Sequence, residues 1–207
     1  MVRNLENLDI IDTVAMMVAL LYTIVSHELA HGAVAYANGD PTAKEAGRLT
    51  LNPIPHISWT GLVSLLIFRF GWAKPVPINP YRFRKRRVGL LTTSLAGVMT
   101  NLISAFIALF LLSHFYGHNL LIDRLFTYIA IYGVSFAVFN LIPIPPLDGS
   151  KVVMSFLPDD WTNWISQRER YFNYLLLALV FTGVLSKFMI PIIDRIFSFM
   201  ISLFMGV

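Results

Sequence analysis

From Thr13 to Ser26 the chain carries no charged residue, and from Ala30 to Ala37 it carries none again; between the two runs sit His27, Glu28 and Leu29. Apolar sequence of this length, with so few charges, predicts a membrane helix over 9–37. Asn38-Gly39-Asp40-Pro41 ends it. The pattern then changes period. In AGRLTLNPIPHIS (46–58), Arg48, Thr50 and Asn52 alternate with Leu49 and Leu51, and two prolines argue against a helix, so an extended segment is expected. Residues 59–72 are apolar but short and contain Arg69, which predicts a re-entrant or interfacial segment rather than a span. Residues 73–81, with three prolines, read as a second extended segment of edge type.

The second half begins with Arg82-Phe83-Arg84-Lys85-Arg86-Arg87 and then turns apolar again. An uncharged helix is predicted over 88–113, with Ser94, Gly97, Asn101 and Ala105 recurring at helical spacing. Small residues let membrane helices approach closely, and the asparagine can hydrogen-bond across the contact. A polar turn with His114, Gly117, His118 and Asn119 follows, and a further helix is expected over 125–140. It runs into Asn140-Leu-Ile-Pro-Ile-Pro-Pro-Leu-Asp148-Gly149. Residues 151–170 are polar and amphipathic, 171–186 predict a further apolar helix, and the tail to Val207 is apolar but interrupted by Lys187, Pro191, Asp194 and Arg195. The sum is an all-α polytopic membrane protein of about five to six membrane helices, with a short re-entrant or β-hairpin-like segment between the first and third helical segments. A single domain over 1–207 is expected, with a core at about 9–157 and C-terminal helices at about 168–207.

Composition agrees with that class. Of 207 residues, 56% are hydrophobic and 14% charged, and mean hydropathy is +0.65. The net charge of +4 is concentrated in one loop, where Lys74 and the Arg82–Arg87 run supply six positive charges and no acid. Such a loop is a topology and anionic-lipid signal and makes a nucleic-acid partner unexpected. The N-terminus does not read as a cleaved leader, because Arg3 is opposed by Glu6, Asp9 and Asp12 and the apolar run is too long. Cysteine is absent, so a metal would have to use histidine and carboxylate.

His27-Glu28-Leu29-Ala30-His31 makes metal chemistry a concrete expectation. Residues four apart share a helix face, so both histidines can address one ion, and Glu28 lies beside that face as a general base. Zinc suits the donors. Ionisable groups inside an apolar span are costly, which disfavours a merely solvated helix face. A catalytic zinc usually takes a third protein ligand, and Asp148 is the best candidate, an acid in apolar sequence after a cluster of prolines that no helix continues through. The plainer reading, Asp148 as the cap of the next helix, is compatible with it. Rival classes are a metal transporter or sensor using the same ligands and a non-catalytic membrane scaffold. Glu28 argues against the first and the metal constellation against the second.

The sequence resembles the site-2 protease family of intramembrane zinc metalloproteases. HELAHG (27–32), AGVMTN (96–101) and NLIPIPPLDG (140–149) carry the likeness, and DPTAKEAGRLTLNPIPHI and FGWAKPVPINP resemble its compact bacterial and archaeal branch without a PDZ insert. The resemblance implies His27, His31 and Asp148 as zinc ligands, Glu28 as general base, Asn140 near the reacting carbonyl, and Asn101 in core packing. It implies a transmembrane protein substrate already shortened by another protease, and residence in a prokaryotic cell membrane; the positive charge of the Lys74–Arg87 loop predicts that the site lies toward the cytoplasm. Val98 departs from the pattern, since the family often has proline after that glycine; a local kink should be lost and the metal site kept. His56 is read as structural, and His114 and His118 as solvated.

Overall fold

A computed structural model of the chain describes residues 10–61 and 74–205. Three long helices form its body: α1 (Ile10–Ala37), α3 (Arg86–Phe115) and α4 (Leu120–Asn140). Each is long and apolar enough to cross a bilayer. A short α2 (Thr42–Glu45) and 3₁₀ turns at Ile54–His56 and Pro80–Arg82 occupy the connection between α1 and α3. After α4 come α5 (Asp148–Met154), α6 (Asp159–Gln167), α7 (Glu169–Phe181) and α8 (Val184–Met205).

Contacts at the two ends set the helix directions. The carbonyl of Asn38, just past α1, accepts from Arg84 N at 2.9 Å, and the Asn38 amide donates to Thr92 Oγ1 at 3.0 Å. At the opposite end, Asp12 near the start of α1 pairs with Arg124 near the start of α4 at 3.2 Å. So α1 and α4 run the same way and α3 runs against them. The C-terminal ends of α1 and α4 therefore meet the N-terminal end of α3, and Asp148 follows α4 by a short loop.

Small residues make this packing possible. Ala15, Ala19, Ala105, Ala108, Ala130 and Ala137 are buried, while Met17, Val18, Ile103, Ile107 and Phe110 face outward. Lipid is as apolar as leucine, so large side chains gain little by facing inward; close backbone approach is what joins membrane helices. At Gly133 an added Cβ would lie 2.7 Å from the Asn101 carbonyl oxygen on α3, a distance no larger residue tolerates. The helix α3 runs unbroken through Val98, which is buried, as its lack of proline leads one to expect.

Some expectations are corrected, and others lie outside the described residues. Against an expectation of five to six membrane helices, the described residues hold three helices of full span length, plus α7 and α8, which together have the length and composition of one span but bend by 73° between them. With 13 residues, α7 is too short to cross alone. The break falls at Gly183, whose φ of +70 suits glycine, so 171–186 is not one helix. The helix expected at 125 starts at Leu120, because the Asn119 side chain accepts from Leu121 N and Ile122 N at 3.0 and 3.2 Å. No β ladder occurs among the described residues. Residues 46–58 are not a strand: Pro53 and Pro55 sit at the start of a 3₁₀ turn, a position where a missing N–H costs nothing, and Asn52 Oδ1 accepts from Ile54 N at 3.1 Å. The segment expected to re-enter, 59–72, lies mostly outside the described residues. Its flanks meet, since Lys74 N donates to the His56 carbonyl at 2.9 Å.

Candidate metal centre

His27 and His31 lie one turn apart on α1 and are buried where α1 faces α3. Gly97 on α3 is what admits them. A Cβ there would lie 2.5 Å from His27 Cε1 and 2.6 Å from His31 Nε2. The Leu141–Leu147 loop brings Asp148, first residue of α5, against both rings. Its Oδ2 is 3.1 Å from His27 Nε2 and 3.0 Å from His31 Nε2, and the two Nε2 atoms are 2.9 Å apart. Gly149 permits the loop to fold this tightly, because a Cβ would collide with the Leu141 carbonyl oxygen at 2.2 Å.

Residues around the three fix their orientation. His31 Nδ1 lies 2.7 Å from the Thr93 carbonyl, to which only an N–H can donate, so Nε2 carries the lone pair. His27 Nδ1 is 3.0 Å from the Asn101 amide, whose Oδ1 has no partner among the described residues. Exchanging the amide oxygen and nitrogen, which share one shape, lets Oδ1 accept from His27 Nδ1–H and leaves Nε2 of that ring free as well. Lys151 Nζ holds Asp148 Oδ1 at 3.1 Å, leaving Oδ2 for the histidines. The side chain of Asp148 makes no hydrogen bond to the start of α5, so it is directed at the histidines and is not the cap of its helix.

This donor set fits zinc. Two imidazole lone pairs facing each other at 2.9 Å, with a carboxylate oxygen beside both, repel unless a positive charge lies among them. Zinc with bonds of about 2.0–2.1 Å separates tetrahedral ligands by about 3.3 Å, a few tenths more than the spacing here. His27, His31 and Asp148 form the cluster of metal-ligating side chains found among the described residues. His56 is not part of it. It is buried beside Thr50 and Arg48, with Nε2 3.0 Å from the Thr50 carbonyl. His114 and His118 are exposed at the far end of α3.

Peptidase family M50 matches the chain over residues 116–185. A Bacillus subtilis (strain 168) protein named "Putative zinc metalloprotease YwhC" is 38% identical over 187 residues, covering 86% of this chain and 85% of its own. The chain belongs to peptidase family M50, the site-2 protease family. It is a zinc metalloprotease with apolar helices of membrane-spanning length. A second relative, "Putative zinc metalloprotease Rip2" of Mycolicibacterium smegmatis, is 27% identical over 188 residues, covering 86% of this chain and 71% of its own. No solved structure matches the protease.

Two of the residues singled out from sequence stand differently from His27, His31 and Asp148. Glu28 is half-buried beside them, and its Oε2 accepts from Val76 N at 2.8 Å. Asn140 ends α4, and its Nδ2 donates to the Phe136 carbonyl of its own helix at 3.0 Å, so its amide is turned toward α4. The sequence reading missed what Thr93, Asn101, Lys151 and Val76 do. Asn101 was noticed as an interhelical polar residue, but its partner, a ring nitrogen on another helix, is set by the crossing of α1 and α3. Thr93 and Val76 contribute backbone atoms, which leave no mark in the residue type.

Proposed function

We propose that the protease hydrolyses peptide bonds in or near transmembrane segments of other membrane proteins, acting on substrates already shortened by another protease. The observation that carries this reading is the location of the site: His27, Glu28 and His31 belong to a span-length helix, and Asp148 reaches them from a loop that follows another. His27, His31 and Asp148 hold the ion. Zinc bound there lowers the pKa of water and polarises a carbonyl. Glu28 takes the proton from the attacking water and hands it to the leaving amine. The Asn140 amide donates to the carbonyl oxygen as charge develops on it, which requires it to turn away from Phe136. Beside Asn140, Val138, Leu141, Pro143, Leu185 and Ile192 line an apolar hollow of about 440 Å³, suited to the side chains of an unwound transmembrane segment. Full-length protease in detergent, given a model transmembrane substrate, should cut within the apolar span or within about one turn of its end. A cut confined to soluble loops, or none with zinc bound, overturns the reading.

The same reading sets the topology. The Lys74–Arg87 loop lies on the cytoplasmic side by its positive charge. Then α1 runs inward, α3 outward and α4 inward again, and the metal ligands lie ~10–15 Å from the cytoplasmic face, counting back along α1. The chain has no native cysteine, so single cysteines at positions 5, 44, 84 and 118 report directly. With a membrane-impermeant thiol reagent on intact cells, 5 and 118 should label, and 44 and 84 only after the membrane is opened. Labelling of 44 from outside with 84 protected means that 59–72 spans the bilayer and that α1 is reversed.

A further inference from the structure

Residues 74–79, Lys-Pro-Val-Pro-Ile-Asn, carry no regular structure but are held along their length. Lys74 is gripped on both backbone atoms: its N–H donates to the His56 carbonyl at 2.9 Å, and its carbonyl accepts from Arg48 Nη2 at 2.6 Å. Among the described residues, Arg48 is buried without a carboxylate partner, 3.5 Å from His56 Nδ1, and its Nε has no partner. Burying a guanidinium is expensive, and the bond to the Lys74 carbonyl is one that offsets the cost. At the other end, Asn79 N donates to Asp40 Oδ2 at 2.6 Å. Burial alone pushes the Asp40 carboxyl up, but the Thr42 hydroxyl, the Asn79 and Thr42 N–H groups and the Arg82 charge outweigh it and keep it below the usual carboxylate range. Asp40 is therefore an ionised, fully acting anchor at neutral pH.

Between the anchors only Val76 and Ile78 have a free-standing N–H, since Pro75 and Pro77 have none. The Val76 N–H is aimed at Glu28 Oε2, 2.8 Å away. The two prolines stiffen the backbone on either side of it, one through its own ring and one by restricting the residue before it. The buried Val76 side chain sits against Gly32, one turn beyond Glu28 on the same face of α1. A Cβ at Gly32 would stand 3.2 Å from Val76 Cγ1 and 2.6 Å from Leu49 Cδ2. With its donors thus used, the segment keeps only the Ile78 N–H for a substrate strand, too few for a ladder edge.

We infer that residues 74–79 are a strap whose Val76 N–H orients the catalytic carboxylate of Glu28, with Arg48, His56 and Asp40 as positioning residues acting through the strap's backbone. The inference rests on Glu28 being the general base. Val76 fixes Oε2, and Oε1, which has no hydrogen-bond partner among the described residues, is the oxygen presented to water. A carboxylate on a free side chain samples several rotamers; one pinned by a rigid donor spends its time in the reactive one.

The test uses full-length, zinc-loaded protease and a model transmembrane substrate. Val76→Pro deletes the donor, and Val76→Ala keeps it. Val76→Pro should lower kcat ~10–100-fold, with KM within about threefold and zinc content as in wild type, because a misaimed group costs turnover and not binding. Val76→Ala should stay at least tenfold more active than Val76→Pro. Arg48→Ala should likewise lower kcat with zinc retained, and Arg48→Lys, which can still donate to the Lys74 carbonyl, should recover part of it; this pair decides independently should Val76→Pro lose zinc. Equal kcat for Val76→Pro and Val76→Ala, or wild-type kcat in Arg48→Ala, overturns the strap. Glu28→Gln on the same substrate separates the two readings: if it cleaves like wild type, the base assignment has failed, whereas an inactive Glu28→Gln beside a fully active Val76→Pro removes only the strap.

Discussion

Glu28→Gln should retain zinc near the wild-type level while cleavage falls at least ~10²-fold, the low end of what general-base catalysis contributes and about 2.7 kcal/mol of barrier. The structure makes the substitution a clean one. Glutamine keeps the length of the side chain and an oxygen that can accept from Val76 N, so the contact with residues 74–79 survives. His27, His31 and Asp148 are untouched, so metal content should not move. What is lost is the ability to take a proton from water. Gel-based cleavage of a model transmembrane substrate, with zinc measured by mass spectrometry on the same preparation, gives both readouts. Cleavage at the wild-type rate ends the mechanism in which Glu28 is the base.

Asp148→Ala should lose both zinc and activity. Its Oδ2 is the third point of a triangle with the two Nε2 atoms, and its Oδ1 neutralises Lys151. Removing the carboxylate deletes a ligand and leaves an ammonium about one turn along α5 facing the ion, so the charge near the site changes sign. Loss of an outer partner of a metal ligand commonly weakens binding 10–100-fold; deletion of the ligand itself should exceed ~100-fold. Competition with a chelator of graded strength measures this. If the purified variant keeps full, chelator-resistant zinc, the carboxylate does not ligate, and two histidines hold the metal with some other group.

Sequence by itself determined the parts of this protease whose cause is local. The three long spans follow from long apolar runs, uncharged over 13–26, 88–113 and 125–140. The pairing of His27 with His31 follows from the pitch of one helix, and no tertiary structure was needed to put both rings on one side. Asp148 was legible for an energetic reason, since an acid in apolar sequence after a run of prolines needs a partner to offset its burial. The family likeness rested on the same stretches. Short elements were read less well, because proline admits two meanings. In 46–58 the prolines excluded a regular α-helix but did not demand a strand; with Asn52 ahead of them they start a 3₁₀ turn. Asp123 is the first-turn acid of α4, and its side chain accepts from Gly117 N at 2.9 Å, a contact that closes the turn before the helix.

Tertiary structure alone decided which groups finish the site. Thr93 O fixes the tautomer of His31, Asn101 faces His27 across a helix crossing, and Gly97 is small because two imidazoles press on it. Val76 N meets Glu28 across 48 positions of chain. Backbone carbonyls and amides are the same at every residue, so no sequence pattern marks the one that will be used. Their roles arise only when packing sets two helices and a loop at a fixed distance. The bend between α7 and α8 belongs here too, since hydropathy records how apolar a segment is and not the direction in which it leaves a glycine.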